Sequence, residues 1–167
     1  RDWIPDVEII SHVIQAYLNE PRRTLAHVAA ADKILRRIIV AYDIYAVAKF
    51  LPEQRRPSLR LFDTVLKAYD DYTRSNRMAT EAADDLFRFF LIQHRNGKVL
   101  EEPDRFHLGH ILRCYNRQNE KQLLQQGAWK SLEYFRLLRS LYRRQKISTP
   151  PDLFNARQLL GTLARST

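Results

Sequence analysis

Apolar residues recur along this chain at the spacing of a helix face. Between residues 7 and 18 they fall at 7, 9, 10, 13, 14, 17 and 18, the i, i+3, i+4, i+7 stripe of an amphipathic helix. The stripe returns at 59, 61, 62, 65, 66, 69 and 72, and again at 106, 108, 111, 112 and 115. Strand-like alternation is nearly absent, so the pattern predicts an all-α protein.

At a longer period the chain repeats itself. Segments 5–17 (PDVEIISHVIQAY), 57–69 (PSLRLFDTVLKAY), 103–115 (PDRFHLGHILRCY) and 151–163 (PDLFNARQLLGTL) align without a gap. Each opens on Pro, and three follow it with Asp, residues suited to the start of a helix. An apolar pair follows: Val13-Ile14, Val65-Leu66, Ile111-Leu112 and Leu159-Leu160. It is expected to face inward. The small residues Ala16, Ala68, Cys114 and Thr162 come next and should let a neighbouring helix approach closely. Tyr17, Tyr69 and Tyr115 close three of the segments.

A second helix is predicted after each of the first three segments, over 24–41, 80–94 and 128–143. These align too, as Ala31 with Leu35, Ala83 with Phe87 and Ser131 with Phe135. The whole chain, 1–167, thus becomes a single domain. It consists of helix-turn-helix repeats at about 5–56, 57–102 and 103–150 with a capping helix at 151–165, about seven helices in all. Units of this kind cannot bury their apolar faces alone and should stack as a short α-solenoid.

Composition narrows the function. Apolar residues make up 45% of the chain, which excludes a disordered basic tail. Four Gly and one Cys exclude a collagen-like chain, a disulfide scaffold and a zinc-cysteine module. Cys114 fits a reducing compartment. Asp43 and Lys49 interrupt the longest apolar stretches, so no membrane span is expected. The net charge of +9, from 28 Lys+Arg against 19 Asp+Glu, leaves nucleic acid, an acidic membrane surface and an acidic protein surface as partners.

The column pattern P-D-x-x-x-apolar-x-x-[V/L]-[I/L]-x-[A/C]-Y, followed by a helix reading A-x-x-L-F, resembles the pentatricopeptide repeat family. Its best stretch is SLRLFDTVLKAY with EAADDLFRFFLIQHRNGKVLEEPD. The resemblance covers essentially the whole chain and implies a right-handed solenoid, an organellar location and single-stranded RNA binding. Carried over by alignment, the base-reading positions are His12, Thr64, His110 and Gln158 early in the first helices, with Ser58, Asp104 and Asp152 as repeat-end partners. Thr64 with Asp104 is a normal reading pair; His12 with Ser58 and His110 with Asp152 depart from the pattern. Extra residues at 46–56, 70–79 and 116–127 lengthen each repeat beyond the family's usual unit. One pair reads about one base, too little for sequence specificity.

The same architecture also makes protein contacts. The chain is similar in mature size and seven-helix organisation to the pentatricopeptide-like accessory subunits of euglenozoan mitochondrial ATP synthase. That likeness implies a non-catalytic subunit on the matrix side, docked on the α subunit of the catalytic head. The chain opens on Arg1-Asp2-Trp3 without Met, which is read as either a cut-out piece of a longer chain or a processed mature chain; the organellar reading takes the second, with a presequence removed.

Chemistry-bearing constellations are sparse. His107 and His110 have an i, i+3 spacing but no adjacent third ligand of the usual type, and read as ordinary helix histidines. Asp84-Asp85 and Glu101-Glu102 are sequence neighbours, which points their carboxylates apart on a helix. No phosphate-cradling or nucleophile-elbow string occurs, so neither catalysis nor a cofactor is expected. Arginine clusters are the strongest signal: Arg22-Arg23, Arg36-Arg37, Arg55-Arg56, and Arg139, Arg143 and Arg144 with Lys146. Arg22, Arg23, Arg55, Arg56, Arg139, Arg143 and Arg144, together with Trp3, are the expected partner-binding residues, on an acidic protein surface or a phosphate backbone. Trp129, Tyr134, Phe135 and Tyr142 could stack on bases, although helical spacing puts Phe135 and Leu138 in the core.

Overall fold

The computed structural model describes residues 7–41, 60–74, 76–99 and 101–167. Among them are seven α-helices and no strand: α1 (Val7–Leu18), α2 (Leu25–Ala41), α3 (Leu61–Tyr72), α4 (Arg77–Arg95), α5 (Arg105–Asn116), α6 (Lys121–Arg143) and α7 (Leu153–Ser166). Helices adjacent in sequence pack on one another. In addition α3 packs on α5, and α5 on α7. This order of contacts is compatible with the expected stack of hairpins.

Local chemistry sets the helix starts. Asp104 caps α5, accepting from the Phe106 and His107 amides, and His107 Nδ1 lies 2.7 Å from the same carboxylate. Asp152 caps α7 through the Asn155 amide, and the Asn155 side-chain oxygen accepts from the Asp152 amide in return, a reciprocal capping box. Both Pro-Asp signals therefore mark helix starts. At α3 the device differs: Arg60 occupies the cap position without a side-chain bond. The Glu101 carboxylate, 39 residues downstream, accepts from the Phe62 and Asp63 amides at 3.0 and 3.1 Å. A carboxylate at a helix N-terminus satisfies orphan N–H groups and complements the dipole.

Two predicted boundaries move. α4 begins at Arg77 rather than 80 because Asn76 caps it through the Met78 amide. α6 begins at Lys121 rather than 128. Gly127 lies inside it because α5 passes there: a Cβ would sit 2.7 Å from Tyr115 Cδ1. The single Asn-Gly pair ends α4. Gly97 takes φ 68°, and the Gly97 and Lys98 amides bond back to the His94 and Gln93 carbonyls.

The core runs along the whole stack. Ile14, Leu35, Phe62, Leu66, Phe87, Phe90, Leu108, Ile111, Leu112 and Leu138 are all fully buried, each worth about 1.5–3 kcal/mol of transfer free energy. Phe62 stacks on Phe90 at 4.3 Å, which ties α3 to α4, and Tyr134 meets Phe87 edge-on at 5.0 Å. The inward pair holds in α3 and α5. In α1 and α7 only half of it does, since Val13 and Leu160 are exposed.

Candidate functional site

Three buried aspartates organise the polar contacts between hairpins. Asp32 on α2 accepts from the Tyr69 hydroxyl at 3.0 Å and from Arg36 at 2.6 Å. Asp84 on α4 accepts from the Tyr115 and Tyr134 hydroxyls at 2.5 and 2.6 Å and from Lys130 at 2.7 Å, with Arg88 at 3.1 Å. Asp70 on α3 takes Arg113 at 2.7 Å, Arg117 at 2.5 Å and His110 Nδ1 at 3.1 Å. Burial alone would raise the carboxyls of Asp70 and Asp84, but their donors hold both below the ordinary range. Burial followed by the neighbouring carboxylate pushes the Tyr69 and Tyr115 hydroxyls well up, so they remain donors. Both oxygens of each of these carboxylates face at least one donor, an arrangement suited to holding helices in register.

The sequence-adjacent acids do point apart. Asp84 is buried while Asp85 lies at the surface, 3.1 Å from Arg36. Glu101 is buried against His107 Nε2 at 2.8 Å, whereas exposed Glu102 accepts from the Ser148 amide. His107 and His110 serve different partners. His107 lies between Glu101 and Asp104; burial would depress its pKa, but the two carboxylates raise it to about 9. His110 faces Asp63 and Asp70.

The base-reading positions can now be located. Ser58 lies outside the described residues. Thr64 donates its hydroxyl to the Arg60 carbonyl. Asp104 caps α5 and also takes Arg60 at 2.6 Å. His110 is buried in the Asp70 cluster, and Asp152 caps α7. Gln158 accepts from Asn116, while His12 is exposed on α1. Thr64, Asp104, His110, Asp152 and Gln158 are thus all engaged within the chain.

The arginines divide into two groups. Arg23 bonds the Leu18 carbonyl and pairs with Asp71 at 2.7 Å. Arg36, Arg60, Arg77, Arg88, Arg113 and Arg117 also have carboxylate partners. Arg22 is exposed. Trp3, Arg55 and Arg56 lie outside the described residues. At the C-terminal end of α6 and just past it, the side chains of Arg136, Arg139, Arg143, Arg144 and Lys146 are exposed and make no ion pair or hydrogen bond with any described residue.

These cations are ordered by the helix. Trp129, Arg136 and Arg143 are seven residues apart and so share one line of α6, about 21 Å long at the rise of an α-helix. Trp129 is 73% exposed, more than any other aromatic residue described. Glu133 is an exposed acid on the same face. Arg143 and Lys146 then rim an open hollow of about 540 Å³ with Tyr142 and Ile147. Tyr134, a stacking candidate on sequence, is buried on Asp84 instead, and Phe135 is packed against the core. Arg136 escaped the sequence reading because it is not adjacent to another arginine; its i, i+7 relation to Trp129 and Arg143 was the available signal.

No helix among the described residues is long and apolar enough to cross a membrane. Comparison with protein-family models, with curated proteins and with solved structures finds no match.

Proposed function

We propose that this protein is a non-catalytic helical-repeat subunit of a mitochondrial complex on the matrix side, and specifically an accessory subunit docked on the α subunit of the ATP synthase catalytic head. The observation that carries the docking mode is the α6 stripe, where Arg136 and Arg143 stand exposed and unpaired in line with Trp129, with exposed Arg139 and Arg144 beside them. Arg23, Arg36, Arg60, Arg77, Arg88, Arg113 and Arg117 are already paired with carboxylates, whereas this stripe gathers exposed, unpaired arginines beside an exposed Trp. An acidic protein surface suits it: charges steer the encounter, and an exposed Trp beside Arg is the residue pair most enriched among interface hot spots.

A single-stranded RNA is the second reading, favoured by the same Trp129, whose exposed ring could stack a base between phosphate-contacting arginines. The internal engagement of Thr64 and Asp104 weighs toward the protein partner. Co-sedimentation of the purified chain with nuclease-treated ATP synthase heads separates the two. Stoichiometric binding is expected, with loss of at least tenfold in affinity for the triple change Arg136→Glu, Arg139→Glu and Arg143→Glu. A free monomer that instead binds single-stranded RNA, with a salt slope cut by those changes, overturns the reading in favour of RNA.

A further inference from the structure

The four repeat-opening helices can be compared column by column. One face of each carries the columns Ile9/Leu61/His107/Asn155, Val13/Val65/Ile111/Leu159 and Ala16/Ala68/Cys114/Thr162, all buried in α3, α5 and α7. Tyr17 joins that face as the counterpart of buried Tyr69 and Tyr115. In α1 the same columns are open: Ile9 is 50%, Val13 41% and Tyr17 39% exposed, and Ala16 is exposed as well. A different column behaves the other way round. Ile14, Leu66 and Leu112 are fully buried, whereas Leu160 of α7 is 65% exposed. Each opening helix therefore has a backward and a forward face, and no described residue covers the backward face of α1.

In α3, α5 and α7 that face is covered. The second helix of the preceding hairpin lies over it and carries Ala followed by Asp. Ala31-Asp32 of α2 meets Tyr69, and Ala83-Asp84 of α4 meets Tyr115; in each case the tyrosine hydroxyl donates to the aspartate. At the third interface both members of the pair are leucine, since Leu132 aligns with Asp32 and Leu163 with Tyr69. Tyrosine and aspartate thus occur together or not at all. Tyr17 is a tyrosine with no aspartate on its face among the described residues.

We infer that the Ile9–Val13–Ala16–Tyr17 face of α1 binds an amphipathic helix of a partner protein, one that presents a small residue followed by an aspartate to the Tyr17 hydroxyl. A second copy of this chain fits poorly: its two Ala-Asp helices are already spent on Tyr69 and Tyr115, and its far end, α7, has no such pair. This surface is distinct from the arginine stripe, and the inference does not depend on the identity of the complex proposed above.

The probe is a hydrocarbon-stapled peptide with the α2 sequence, stapled because a free helix of this length is marginal in water. It is titrated into the full chain by fluorescence anisotropy. Saturable binding is expected, reduced at least tenfold by Val13→Arg, which alters an exposed position and should leave the circular dichroism unchanged. Tyr17→Phe should weaken binding roughly ten- to a hundredfold, the worth of one hydrogen bond to a carboxylate. It should have little further effect on a peptide carrying Asp32→Asn, which closes a double-mutant cycle. Three results overturn the inference: no saturable binding, binding indifferent to Val13→Arg, or a concentration-dependent dimer of the free chain that Val13→Arg abolishes.

Discussion

Two glycines inside helices should respond in opposite directions to the same change. Gly127 and Gly161 both lie within helical runs, so replacing either by Ala removes the backbone-entropy cost of a helical glycine, about 0.5–1 kcal/mol. At Gly161 the new methyl meets the Asn116 amide at 3.6 Å, an ordinary contact. That variant should be more stable by most of the gain. At Gly127 the methyl would stand 2.7 Å from Tyr115 Cδ1 and 3.0 Å from its Cβ. The ring cannot swing aside cheaply, because its hydroxyl is held by Asp84 and its face lies 5.8 Å from the Lys130 ammonium. Overpacking of this kind costs about 1–3 kcal/mol. It exceeds the propensity gain, leaving a net loss of about 1–2 kcal/mol. Urea unfolding followed by circular dichroism gives both free energies, and a scan should show Gly127→Ala melting roughly 2–8 °C lower. If Gly127→Ala proves as stable as the parent, the close approach of α5 to α6 is wrong.

Further outcomes follow from single groups. His107 is raised to about 9 in the folded chain against an ordinary 6.5. Its contribution, about 3 kcal/mol at most, is therefore complete below pH 6.5 and is lost as pH climbs to about 9. Asp104, lowered to about 2 by His107 and the α5 amides against the effect of burial, contributes above pH 3.8 and loses that contribution as pH falls toward 2. Denaturation at a series of pH values should show stability falling between 6.5 and 9, with the slope reduced in His107→Gln; a slope equal in both proteins contradicts the clamp. Gln145 repeats the helix-ending geometry of Gly97 at φ 56° but carries a side chain, so Gln145→Gly should stabilise by about 1 kcal/mol in the same assay.

How legible these features were in the sequence depends on range. The helices could be read because period and helix-start chemistry agree locally: Pro103-Asp104 and Pro151-Asp152 each open one. The inward columns were also readable, except at the two ends, where burial depends on a neighbour rather than on the residue. Val13 and Leu160 occupy apolar columns yet face outward. The polar partners were not readable. Asp70 finds Arg113 and Arg117 at separations of 43 and 47 residues, and no spacing rule says which face of α5 turns to α3. The α6 stripe lay between these cases: its arginines were visible as a cluster and Trp129 fell within the predicted 128–143 helix, but which cations stay unpaired depends on where the carboxylates of other helices lie.

Glu101 joins two repeats through one side chain. It closes the amides of α3 with one end and holds the His107 imidazole, which itself locks the start of α5. Fraying of α3 at its first turn would strand a buried carboxylate and a charged imidazole together, so that turn and the start of α5 open as a single event. In a chain whose hairpins meet mainly their neighbours, unfolding could proceed piecemeal from either end. The shared carboxylate should make the middle of this stack, from α3 through α5, one cooperative block whose amides exchange slowest. The first helix, α1, which packs mainly on α2, is left as the element that can loosen first and adapt to whatever it meets.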